Sequence, residues 1–207
     1  MLGGMIIALY NDRADVHPKS VSLSWSQLSS LLSECRQTEC HPCPGPSCRL
    51  KHGDAWSPVD IVGSRRSSHV RFLTAAVFDL DHLTELQLLG VAESIEGRDY
   101  IVHATHSDRL GDRCLRLVLA LSRPVLPAEW PRFFRAVVKQ CSLPADPACK
   151  DLSRLYYLPS RPRGEPQLVD VGAGVVLDVD TILASTSRPT PAPAPPPPPP
   201  PAPPPPP

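Results

Sequence analysis

The stretch "VRFLTAAVFDLD", residues 70–81, constrains the fold more than any other part of the chain. Between Phe72 and Leu80 only Thr74 and Asp79 are polar. An apolar run rich in aromatic and small residues, without helical spacing, predicts a central strand. It ends in two acids. On a strand, residues two apart share a face, so Asp79 and Asp81 stand side by side while Leu80 points into the core. Two carboxylates that close raise each other's pKa unless a cation lies between them. Mg²⁺ or Mn²⁺ takes such oxygen ligands and leaves positions open for phosphate oxygens. The plainer alternative is a solvated pair at a strand end, next to the helix that starts near Leu83.

The flanking segments supply a mixed architecture. "MIIALY" (5–10) reads as a buried strand. "SVSLSWSQLSSLLSE" reads as a short strand and then a helix capped by Ser24 or Ser26, with Trp25, Leu28, Leu31 and Leu32 as its apolar stripe. After the DxD, "LTELQLLGVAESI" has helical period. "YIVHATHS" and "RCLRLVLALS" are strands joined by "DRLGD", whose glycine favours an antiparallel hairpin. "PAEWPRFFRAVVKQCS" is an amphipathic helix with Trp130, Phe133, Phe134, Val137 and Val138 on its buried side. "LPADPACKDLSRLYYLPSRP" is irregular with one strand near "RLYYLP", and "QLVDVG" with "GVVLDV" suggests a closing hairpin. The expected class is α+β, with helices on one face of a largely antiparallel sheet.

Of 28 prolines, most of the last stretch consists of them: "RPTPAPAPPPPPPPAPPPPP". Proline has no N–H to donate, so this run builds neither helix interior nor sheet ladder and is expected as a disordered polyproline tail over 186–207. One domain is expected over 1–185. Its 21 basic residues balance 21 acidic ones, so overall charge lends no support to nucleic-acid or membrane binding. Local basic stretches remain at 63–71 and 153–163. No segment approaches the ~20 apolar residues of a membrane span. The opening "MLGGMIIALY" lacks a basic leader, so the expected setting is cytoplasmic and the seven cysteines are expected as thiols or metal ligands.

Three segments in order, residues 51–84, 100–125 and 143–162, resemble the archaeo-eukaryotic primase–polymerase superfamily, in the form found in phages, plasmids and mobile elements. The DxD of motif I is matched by Asp79 and Asp81. The small-x-His of motif II is matched by "ATHS" with His106. The acid of motif III is matched by Asp146, with Asp151 nearby as a structural partner of Arg154. The resemblance implies an N-terminal α/β unit and an RRM-like sheet around one cleft. It implies primer synthesis or DNA extension from nucleoside triphosphates on a DNA template, with Mg²⁺ or Mn²⁺ held by Asp79, Asp81 and Asp146. His106 would contact the triphosphate, and Arg116 and Arg154 would neutralise phosphate charge. A replicative helicase is an implied partner. This sequence departs from many relatives in carrying Asp108 where they have a second histidine. Two alternatives stand beside this reading: a phosphatase of the haloacid-dehalogenase type, which uses a similar DxD, and a primase-like domain that binds single-stranded DNA without catalysis. His103 and His106 are three apart, so on a strand they point to opposite faces and cannot pair as a rolling-circle nuclease would need.

One further feature is the loop "ECRQTECHPCPGPSC" within 35–52. Cys35, Cys40, Cys43 and Cys48 form a C-x4-C-x2-C-x4-C array, a candidate zinc set whose central C-x2-C is typical of zinc ligands.

Overall fold

The computed structural model describes residues 4–40, 43–44 and 47–186. The expected tail beyond Thr186 lies outside them. The chain begins with β1 (Met5–Tyr10), β2 (Lys19–Leu23) and α1 (Trp25–Ser33). Ser24 caps α1 in a reciprocal box with Gln27, and Leu28 and Leu32 are fully buried. After β3 (Arg36–Thr38) come β4 (Ala55–Ser57) and β5 (Val59–Ile61). The apolar run becomes β6 (Val70–Leu83), followed by α2 (Glu85–Ile95), which Thr84 and Gln87 cap in the same way. Then follow β7 (Tyr100–Ala104), β8 (Arg113–Val125) and α3 (Trp130–Gln140). The chain closes with β9 (Tyr156–Tyr157), β10 (Ser160–Pro162), β11 (Val169–Gly172) and α4 (Val179–Ser185).

The main sheet has the order β11-β7-β8-β6-β5, and every pair in it is antiparallel. Residues 73–80 of β6 are all buried, as its central position demands. One face packs on helices. Phe78 stacks on Phe134 of α3 at 5.6 Å, and Val91 and Ile95 of α2 are buried beside Val102 and Leu115. The opposite face meets a second sheet of order β2-β1-β4-β9. There the Tyr156 hydroxyl donates to the Val77 carbonyl at 3.3 Å, and Trp56 packs on Tyr156. The expected α+β class therefore holds, and the cleft between the two sheets is where the site lies.

The closing hairpin does not form. β11 pairs with β7, whereas Val175 and Leu177 make single parallel bridges to Arg98 and Leu121. Residues 179–185 are then helical, capped by the Asp178 side chain on the Thr181 N–H at 2.7 Å. The two glycines between these segments serve close approach. A Cβ on Gly172 would overlap the Tyr100 ring, and one on Gly174 would overlap the Gly97 carbonyl.

Candidate functional site: a charged cleft between two sheets

The register of the main sheet builds the centre of the site. Asp79 of β6 lies opposite Arg116 of β8, and Arg116 lies opposite His103 of β7. These three polar side chains form one row on the face turned to the cleft. Arg116 Nε donates to Asp79 Oδ1 at 2.7 Å, and its Nη1 donates to the Tyr157 carbonyl at 2.7 Å. The guanidinium also lies over the Tyr156 ring, 4.8 Å from its centroid. The second oxygen of Asp79 accepts from Arg154 Nη2 at 2.8 Å, and the same nitrogen donates to Asp146 Oδ2 at 2.8 Å.

The irregular segment after α3 is held where its acid is needed. The Asp146 N–H donates to the Asp79 carbonyl at 2.9 Å, so the segment extends alongside the end of β6. Asp146 Oδ1 then accepts from the Ala148 N–H at 2.8 Å and caps the 3-10 turn Pro147–Lys150. Trp130 of α3 ties that turn down by donating to the Lys150 carbonyl at 3.0 Å. Asp79 and Asp146 are thus brought together around one cationic nitrogen. Asp81 lies exposed on the rim, lining the same pocket as Asp79, His103, Arg116, Arg154 and Lys51.

The electrostatics follow from burial and partners. Burial raises the Asp79 carboxyl, but the charge of Arg116 and hydrogen bonds from both arginines outweigh it and hold the group below the usual carboxylate range. Asp81 shifts the other way. Partial desolvation where it faces the cleft and the charges of Asp79 and Asp146 push its carboxyl up. His103 is driven down to about 3 by burial and by Arg116, so it is neutral at physiological pH. Its Nδ1 faces the Ala104 carbonyl at 3.1 Å, and among the described residues its buried Nε2 has no hydrogen-bond partner.

Several expected residues are brought together and others are not. Asp79, Asp81, Arg116, Arg154 and His106 line one cleft, and Asp146 joins them through its ion pair with Arg154. His106 does not take the expected place beside the acids. Its Nε2 lies 3.6 Å from Cys40 Sγ and 3.5 Å from Cys43 Sγ, and its Nδ1 faces the Ser160 hydroxyl at 3.2 Å. With both ring nitrogens so engaged, the imidazole in the acid row is that of His103. Asp151 partners Arg154 through the backbone, its carbonyl accepting from the Arg154 N–H at 3.1 Å. Its carboxylate accepts from the Ser153 N–H at 3.0 Å and the Ser67 hydroxyl at 2.9 Å. Asp108 is buried and accepts from Arg113 Nε at 2.7 Å and the Cys114 N–H at 3.0 Å. It shapes the turn between β7 and β8 and does not line the pocket. Of the cysteine array, Cys40, Cys43 and Cys48 gather with His106, while Cys35 stays apart with its thiol at 3.8 Å from the Arg36 carbonyl. Cys35 ends the α1 segment, and β3 carries the chain away before Cys40 is reached.

Sequence reasoning missed His103, Cys149 and the two tyrosines of β9. Cys149 Sγ lies 3.2 Å from the Asp79 N–H, and Asp79, Asp146 and Cys149 offer ligand atoms within 4.8 Å of one another. The pairing of β7 with β8 puts the histidine of "YIVHA" beside the arginine of "RCLRL", but the eight-residue connection between them does not by itself fix that register.

An antiparallel sheet whose neighbouring strands β6, β8 and β7 bring an acid, an arginine and a neutral imidazole to one open cleft defines an α+β domain with a charged site. Residues 61–190 match the VapE N-terminal domain, and the chain belongs to that family, which is primase-like and found in phages and plasmids. Among solved structures, the AEP domain of the cyanophage S-2L primase-polymerase is similar over 88% of this chain and 88% of that one, at 14% identity and a TM-score of 0.47. No curated protein matches the chain. No described helix is long and apolar enough to cross a membrane.

Proposed function

We propose that this domain is a DNA-directed nucleotidyltransferase that makes primers or extends DNA in the replication of a mobile element. The observation that carries the reading is the convergence of Asp79 and Asp146 on one nitrogen of Arg154, both at 2.8 Å, with Asp81 on the rim of the same pocket. Carboxylates from two separate segments gathered around a single cationic point fit a site for Mg²⁺ or Mn²⁺, and Asp79, Asp81 and Asp146 are the residues that would hold it. When bound, such ions activate an attacking hydroxyl and neutralise triphosphate charge.

The chain's own groups have distinct tasks in this reading. Arg116, locked on Asp79 and the Tyr157 carbonyl, orients the first acid. Arg154 presents its guanidinium to the pocket, where forked donors suit phosphate oxygens. His103 lines the pocket with a neutral ring whose buried Nε2 has no partner among the described residues. Asp81, with its carboxyl raised by its acidic neighbours, is the group whose ionisation most depends on a cation arriving.

The test is incorporation of labelled nucleotides on a single-stranded DNA template with Mg²⁺ or Mn²⁺. Incorporation by the wild type and its loss in Asp79→Ala and Asp81→Ala support the reading. DNA retention in a gel with no incorporation supports the binding-only alternative. Hydrolysis of a generic phosphomonoester, lost in Asp79→Asn, supports the phosphatase alternative. That last chemistry needs Asp79 as a free nucleophile, whereas both of its oxygens are engaged by guanidinium groups.

A further inference from the structure

We propose that Cys40, Cys43, Cys48 and His106 bind one structural zinc ion, and that this ion fastens the cysteine loop to the turn after β7 to make one wall of the cleft. All four ligand atoms lie within 4.8 Å of one another. Around tetrahedral zinc, bonds of about 2.3 Å to sulfur and about 2.0 Å to nitrogen place a sulfur and a nitrogen roughly 3.5 Å apart. His106 Nε2 lies 3.5 Å from Cys43 Sγ and 3.6 Å from Cys40 Sγ.

The surroundings are those of a ligand set. A metal-bound imidazole is oriented through its other nitrogen. Here His106 Nδ1 meets the Ser160 hydroxyl at 3.2 Å. Cys40 Sγ lies 3.5 Å from the Thr38 hydroxyl, which donates to the Arg161 carbonyl at 3.1 Å. Ser160 and Thr38 belong to the parallel pair β10 and β3, so both flanking contacts rest on one ledge. Three thiolates and a neutral imidazole on Zn²⁺ carry one net negative charge. Arg109 approaches from one side, donating to the His106 carbonyl at 2.9 Å, and Arg161 from another, donating to the Thr105 carbonyl at 2.9 Å.

Two further facts favour a metal. Cys40 and Cys48 are buried, 7% and 2% exposed, in a loop that contributes little apolar side chain of its own. All seven cysteines are thiols rather than disulfide halves. Four protein ligands close the coordination shell, which is the structural rather than the catalytic form of a zinc site. The centre is separate from the acid cluster, and its three cysteines precede the segment 61–190 that matches the family. Its consequence for the cleft comes through position, because Thr105, His106, Ser107, Pro159 and Ser160 all line the pocket.

The experiment measures metal in the purified full chain by mass spectrometry. One zinc per chain is expected in the wild type, in Asp79→Asn and in Cys35→Ser, with loss in Cys43→Ser and His106→Ala. Zinc kept by His106→Ala but lost in Cys35→Ser overturns the ligand set. Because a ligand variant can misfold, the wild type is also titrated with a thiol-modifying mercurial, which should release one zinc per chain. A wild type that carries no zinc, and shows no thiolate–Co²⁺ absorption after reconstitution with cobalt, overturns the site. Fastening is read by trypsin. Cleavage after Arg49 or Lys51 should accelerate at least tenfold once the metal is stripped, and an unchanged rate overturns the structural role. Asp79→Asn loses nucleotide incorporation in the proposed function yet keeps zinc here, so the two readings fail separately.

Discussion

Asp79 is a buried charge whose presence depends on its partners. It is 6% exposed, and each of its oxygens faces a different arginine. Removing one partner of a buried ion pair typically costs about 3–5 kcal/mol, because the other charge is left uncompensated. We predict that Arg116→Ala lowers unfolding free energy by roughly that amount in urea titration, and that Asp79→Asn in the same background recovers part of the loss. Additive losses in the double variant contradict the coupling. His103 gives a pH prediction. Its folded pKa of about 3 lies below the ordinary 6.5, so between these values the unfolded chain takes up a proton that the native state does not. The stability it contributes is complete above pH 6.5 and is lost as the pH falls toward 3, at up to about 1.4 kcal/mol per pH unit. His103→Gln should therefore show a shallower decline in stability between about pH 6.5 and 4, and an identical slope sinks the assignment. At this scale the acids were legible because they end an apolar strand. His103 was not, since choosing between it and His106 requires the register and the cysteine loop, and the loop's pull on His106 is a contact across more than sixty residues.

Among the elements, β6 was readable because a central strand must be apolar along its length, and α1 and α2 because their caps and stripes agree. Phe78 tests the packing of β6 on α3. Phe78→Ala should cost about 3–5 kcal/mol, the usual loss for emptying a buried aromatic site. The capping Ser24 tests α1 on a smaller scale, with Ser24→Ala expected to cost about 1 kcal/mol. The end of the domain was misread for a physical reason. Glycine marks a turn only when its conformation is what matters, and Gly172 and Gly174 are needed for the space they leave to Tyr100 and Gly97. The short helix α4 has little periodicity of its own and depends on the Asp178 cap and on burial of Val179, Ile182 and Leu183. Gly174→Ala is predicted to destabilise the fold by about 1–3 kcal/mol through overpacking against backbone. An unaltered urea midpoint contradicts that account.

The whole molecule brings two sheets together with Asp79, His103, Arg116 and Arg154 gathered at the open end of the cleft between them. Deeper in, Val77, Ile101 and Val118 continue the same sheet face as apolar neighbours of Asp79, His103 and Arg116. The hydrophobic part of the interface fixes the strands, and the strand ends present the acids. Distant segments supply the rest, since Asp146 follows α3 and Arg154 precedes β9. The most direct test compares Mn²⁺-dependent nucleotide incorporation by Asp146→Asn and Asp151→Asn. Asp146→Asn is predicted to lose at least about 100-fold in rate, the scale of removing one group that stabilises developing charge, while Asp151→Asn stays within a few-fold of wild type. Retained incorporation in Asp146→Asn, or an equal loss in Asp151→Asn, contradicts an acid cluster built from Asp79, Asp81 and Asp146.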